Sequence, residues 1–113
     1  MITPRHIGPA IWAASMLIGA HIGAHVAAAD EAGDIAFGEY LSSQCVTCHQ
    51  LSGASNGIPP IVGWDTTSFF QVMDTYRQKA RENKAMQTIA ASLSDQDIKA
   101  LAAFFATIEP TGD

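Results

Sequence analysis

The stretch Cys45-Val46-Thr47-Cys48-His49 governs how the rest of the chain reads. On a helix, residues three and four apart share a face, so two thiols and one imidazole converge on one side of a single turn. Three common uses of paired cysteines fit poorly. A structural zinc site takes four Cys or His ligands, and beyond residue 29 the chain holds only these three. A thioredoxin-like redox pair belongs beside a strand-helix-strand pattern, which is missing here. A disulfide between such close neighbours would shut almost no loop and stabilise little. Covalent attachment of one c-type haem remains: Cys45 and Cys48 would bond its two vinyl groups while His49 ligates the iron.

Upstream of this stretch, Arg5 is the only charged side chain before Asp30. An apolar run from Ile11 to Ile18 follows, ending in small residues at Ala27-Ala28-Ala29. Residues 1–29 therefore read as a secretory signal peptide cut after Ala28 or Ala29, leaving residues 30–113 as one monohaem domain in the periplasm. The rival reading is an uncleaved anchor, since Ile7 to Ala29 is nearly long enough to cross a bilayer core. Gly8, Pro9, Gly19, Gly23, His21 and His25 dilute that run. His21 and His25 share a helical face but would leave with the leader, as would His6, so His49 becomes the one histidine of the mature chain. That chain, about 84 residues, carries five Lys or Arg against eleven Asp or Glu, a net charge near −6. Such a balance argues against nucleic acid as a partner. A chain this short buries little apolar surface and needs a cofactor or other staple.

Strand alternation is absent, and the domain reads as all-α, three to four helices with one Gly/Pro/Ser loop. The first helix is predicted over Ala32 to Cys48, with Ile35, Phe37, Tyr40 and Leu41 as apolar surface and Gly38 leaving room for another backbone. Leu51 to Gly63 is the loop, where Pro59-Pro60 forbids regular helix. Phe69, Met73, Tyr76 and Ala80 mark an amphipathic helix from Thr66 to Ala80, capped by Asp65, Thr66 or Thr67. A last helix opens at Ser94, with Asp97 in the capping-box position, and runs to about Thr107. Its stripe is Ile98, Leu101, Phe105 and Ile108, widened by Phe104.

With one histidine in the mature chain, bis-histidine ligation within it is excluded. Met73 and Met86 are the remaining thioethers. Met73 falls on a buried helical stripe, where methionine is ordinary core filler. Met86 follows the polar break Arg81-Glu82-Asn83-Lys84, where the backbone can turn a side chain towards iron. Met86 is the favoured second ligand, with Met73 or an open position as alternatives. Arg77, Lys79, Arg81 and Lys84 place four cations directly before it. They either complement a helix dipole or frame one edge of the haem crevice, pairing with a propionate or with acidic groups on a redox partner.

Over residues 34–108 the sequence resembles the class I c-type cytochromes. Pro59-Pro60-Ile61-Val62-Gly63 is similar to that family's Pro-x-Leu-x-Gly turn, which implies that the Pro59 carbonyl accepts the ring N–H of His49 and orients it. Leu101-Ala102-Ala103-Phe104-Phe105 resembles the family's C-terminal helix, implying contact of Phe104 with Gly38. Gly38 stands seven residues before Cys45, where mitochondrial members have eight. Ala85 to Ala90 followed by Leu93 to Ile98 is similar to a bacterial subgroup that includes the haem subunit of flavocytochrome c sulfide dehydrogenase. The resemblance implies a class I cytochrome c fold wrapped around one covalent haem c, with His49 and Met86 as ligands. It also implies a non-catalytic electron-transfer subunit beside a flavoprotein or another periplasmic redox protein. A freely diffusing shuttle is the alternative. A haem sensor or small peroxidase is disfavoured by Met86 and by the lack of a second histidine for acid-base work.

Overall fold

The computed structural model describes residues 34–111, together with Gly8 and Glu31. The expected signal peptide, Gly8 apart, lies outside the described residues. Four helices follow one another, with no strand among the described residues: α1 (34–42), α2 (Thr66–Arg77), α3 (Lys84–Ala91) and α4 (Asp95–Ala106). No helix among these residues is long and apolar enough to cross a membrane.

The first helix ends earlier than its sequence suggests. The Ser42 carbonyl accepts N–H bonds from both Cys45 (2.8 Å) and Val46 (3.0 Å), and the chain continues as turns through residue 48. The Ser42 hydroxyl meanwhile bonds back to the Glu39 carbonyl at 2.7 Å, occupying an acceptor at the helix end. Val46 and Thr47, both β-branched, do little to carry a helix further.

α2 begins where Asp65 accepts the Ser68 N–H at 2.9 Å. It stops at Arg77 rather than Ala80, because Lys79 takes a left-handed conformation, φ 59°. Lys79 N–H then bonds the Tyr76 carbonyl at 3.0 Å and Ala80 N–H bonds Thr75 at 2.9 Å, the paired bonds of a Schellman end. α4 has the expected reciprocal cap: Ser94 Oγ accepts the Asp97 N–H and the Asp97 carboxylate accepts the Ser94 N–H.

Phe69 and Met73 of α2 meet Ile98, Leu101 and Phe105 of α4 in the core, joined by Val62, Ala90 and Leu93. Phe69 stacks on Phe105 with centroids 5.8 Å apart, and Trp64 sets its edge against Phe69. α1 crosses α4 at Gly38. A Cβ there would lie 2.6 Å from the Ala100 carbonyl carbon and 2.8 Å from Phe104 Cβ, and closer still to the Ala100 oxygen. The expected Phe104 contact is present, and the Ala100 backbone approaches nearer yet. Arg77 ties α2 to α4, its guanidinium 2.7 Å from both Asp74 and Asp95.

Candidate functional site

Although Cys45 to His49 lie beyond α1, the His49 N–H bonds the Cys45 carbonyl at 2.9 Å and the Cys48 N–H bonds the same oxygen at 3.1 Å. One closed turn thus spans the motif, and the convergence expected of a helix needs only that turn. His49 is buried, 9% exposed. Its Nδ1 lies 2.7 Å from the Pro59 carbonyl oxygen. A carbonyl can only accept, so Nδ1 carries the proton and Nε2 keeps a free lone pair for a metal. Cys48 is exposed and Cys45 half-buried. Burial pushes the Cys45 thiol up to about 11. It stays protonated at neutral pH, opposite to the lowered pKa of a thiol poised for disulfide exchange.

The loop that delivers Pro59 is built from tight turns. Asn56 (φ 42°) and Gly57 (φ 85°) are both left-handed, and Ile58 N–H closes on the Ser55 carbonyl at 2.7 Å. Positive φ at both central residues is the pattern of a type I′ turn, which Asn-Gly favours. The chain reverses there and runs back as Pro59-Pro60 past the His49 ring.

The break ahead of Met86 is present, non-helical over residues 80–83, but the residue itself is helical. It occupies the first turn of α3, where Asn83 Oδ1 accepts its N–H at 3.0 Å, and its half-buried side chain packs against the core. Cys45 borders that same apolar cluster. Met73 is buried within it, 6% exposed, as core. The helix α3 was missed in the sequence, though an Asn cap followed by Lys84-Ala85-Met86-Gln87 carries a helix-start signal. The cationic group is smaller than the sequence suggests, because Arg77 is spent on Asp74 and Asp95. Arg81 lies over the Tyr76 ring at 5.4 Å. Lys79, Arg81 and Lys84 are exposed and, among the described residues, form no ion pair.

The chain that builds this turn is similar in sequence to known proteins. A family model described as cytochrome c oxidase, cbb3-type, subunit III matches residues 33–105. The chain belongs to this cytochrome c family. It is 36% identical over 85 residues to cytochrome c-554(548) of Halomonas halodenitrificans, covering 69% of this chain and 100% of the relative. It is 40% identical over 62 residues to a protein of Stutzerimonas stutzeri named thiosulfate dehydrogenase electron acceptor, covering 52% of this chain. The chain spans only 29% of that relative's length. Cys45, Cys48 and His49 fit one covalent c-type haem, and this cytochrome is an electron-transfer protein.

Proposed function

We propose that this cytochrome is an exported, periplasmic carrier of single electrons. Cys45 and Cys48 would hold the haem, His49 and Met86 would ligate its iron, and a dehydrogenase acting on a reduced sulfur compound would be its donor. The observation that carries the reading is the 2.7 Å bond between His49 Nδ1 and the Pro59 carbonyl, which orients a buried imidazole with Nε2 free. When bound, the haem would supply a one-electron couple, and ligation by both His49 and Met86 would suit electron transfer rather than oxygen chemistry. The chain's own part is to position: Pro59 fixes the ring of His49, and Asn83 fixes the helix turn that carries Met86. Met86→Ala should abolish the sulfur-to-iron charge-transfer band and lower the potential, whereas Met73→Ala should keep the band; the reverse outcome exchanges their roles.

The resemblance to the flavocytochrome c haem subunit favours a sulfide-oxidising flavoprotein as the donor. The name of the Stutzerimonas relative favours a second reading, in which a thiosulfate dehydrogenase delivers the electrons. Val46, Leu51 and Ile58, exposed on either side of His49 in the chain, offer apolar contact to either partner. Lys79, Arg81 and Lys84 offer charge. Lys84 stands in the first turn of α3, where a cation opposes the helix dipole, so dipole compensation does not account for it. The test is to mix the oxidised cytochrome with each enzyme and its substrate and follow haem reduction. Reduction by sulfide through a co-purifying flavoprotein supports the first reading, and reduction only through a thiosulfate dehydrogenase supports the second. A cytochrome that elutes alone, without flavin, and that neither enzyme reduces would refute both.

A further inference from the structure

The loop that presents Pro59 is closed at its base by the C-terminal tail beyond α4. Pro110 lies against both ends of that loop. A Cβ built on Gly53 would stand 3.0 Å from Pro110 Cβ, and one on Gly63 would stand 3.2 Å from Pro110 Cδ. Both glycines are left-handed, φ 82° and 70°, so the backbone at each end is shaped to admit the proline ring. Two main-chain bonds sew the same seam. Thr111 N–H donates to the Ser52 carbonyl at 2.8 Å, and Gly63 N–H donates to the Phe105 carbonyl at 2.9 Å. Between these anchored ends lies Pro59, whose carbonyl accepts the His49 ring N–H.

We infer that Pro110 and Thr111 are positioning residues for the haem ligand: by clamping residues 52–53 and 63 to the end of α4, they hold the Pro59 carbonyl against His49 Nδ1. The clamp acts through the loop, whose two ends the tail holds. A loop free at its base would sample positions in which the carbonyl withdraws and the ring rotates. The imidazole would then lose the acceptor that makes it a better donor to oxidised iron. The inference rests on His49 as the iron ligand.

The experiment uses the intact haem-loaded protein and two variants, Pro110→Ala and a deletion of residues 109–113, with Ser94→Ala as a control that weakens α4 at its far end. Two quantities are read: hydrogen exchange of the His49 Nδ1 proton by NMR, and the midpoint potential. In Pro110→Ala the exchange should quicken about tenfold, because the loop opens locally. The potential should rise, because a weaker hydrogen bond leaves a poorer donor for ferric iron. The deletion should move both further in the same direction, and Ser94→Ala should move neither. Unchanged exchange and potential in Pro110→Ala and in the deletion would overturn the inference. So would equal shifts in Ser94→Ala, which would mean that general loosening is the cause. An unsubstituted protein without a histidine-ligated spectrum overturns the ligand assignment and the inference with it, and is told apart because it shows before any variant is made.

Discussion

Replacing Gly38 by alanine should separate α1 from α4. The new methyl would lie 2.6 Å from the Ala100 carbonyl carbon and 2.8 Å from Phe104 Cβ, closer than real Cβ atoms come to such neighbours. The nearest obstacles are backbone atoms of a helix, which cannot swing aside as a flexible side chain could. Relief requires α1 to lift away from α4, and overpacking of this kind costs about 1–3 kcal/mol. The upper end applies because backbone must move. Against it stands the gain of about 0.5–1 kcal/mol from exchanging glycine for alanine inside a helix. The net expectation is a loss of about 2 kcal/mol, which in a domain of this size lowers Tm by roughly 8–16 °C. Gly57→Ala is the matched control. Nothing lies within 4 Å of a Cβ at Gly57, but its φ is 85°, so its cost comes from backbone conformation alone, about 1–2 kcal/mol. Urea and thermal unfolding of the haem-loaded protein, followed by far-ultraviolet circular dichroism, measure both. The two are separated by pairing each with Phe104→Gly, which removes the Cβ that the new methyl would meet: the cost of Gly38→Ala should fall in part in that background, the Ala100 backbone remaining, and that of Gly57→Ala should not change. A Gly38→Ala protein as stable as the parent would refute the close helix crossing.

Lys79→Gly should stabilise the protein by about 0.5–1 kcal/mol, since a left-handed C-terminal position suits glycine and the Schellman bonds are main-chain; a shift in urea midpoint at constant m is the check. Charge reversal of Arg81 and Lys84 together should slow reduction by an acidic partner and flatten its dependence on salt, read by stopped flow at low and high ionic strength. The carboxyls of Asp65 and Asp97 are held below their usual range, first by the backbone N–H of Ser68 and Ser94 respectively and then by those serines' side chains. A depressed folded value adds stability above the unfolded value of about 3.9, and this is lost as pH falls through the lower folded values. Unfolding midpoints should therefore drop below about pH 4, and less so in Asp65→Asn and Asp97→Asn.

The sequence by itself determined the chemistry of attachment and most of the helices. Cys45, Cys48 and His49 act through a spacing that one backbone turn satisfies, and α4 announces itself through Ser94, Asp97 and the stripe Ile98, Leu101 and Phe105. These are local signals, carried by residues within a few positions of one another. The ends of α1 and α2 were misjudged for the same reason: apolar periodicity runs on past Ser42 and Arg77, but the hydrogen bonds that stop each helix do not follow that period. α3 is short, and its capping signal was overshadowed by the charged residues before it. Only the tertiary structure decided which groups face one another across the chain. Arg77 belongs to the cationic run in sequence, but Asp95 of α4 engages it in space. The seating of Pro110 between Gly53 and Gly63 joins residues about 50 positions apart, and no periodicity encodes such a contact. Packing fixes it, because two left-handed glycines and a proline ring fit together only after α4 has brought the tail back to the loop.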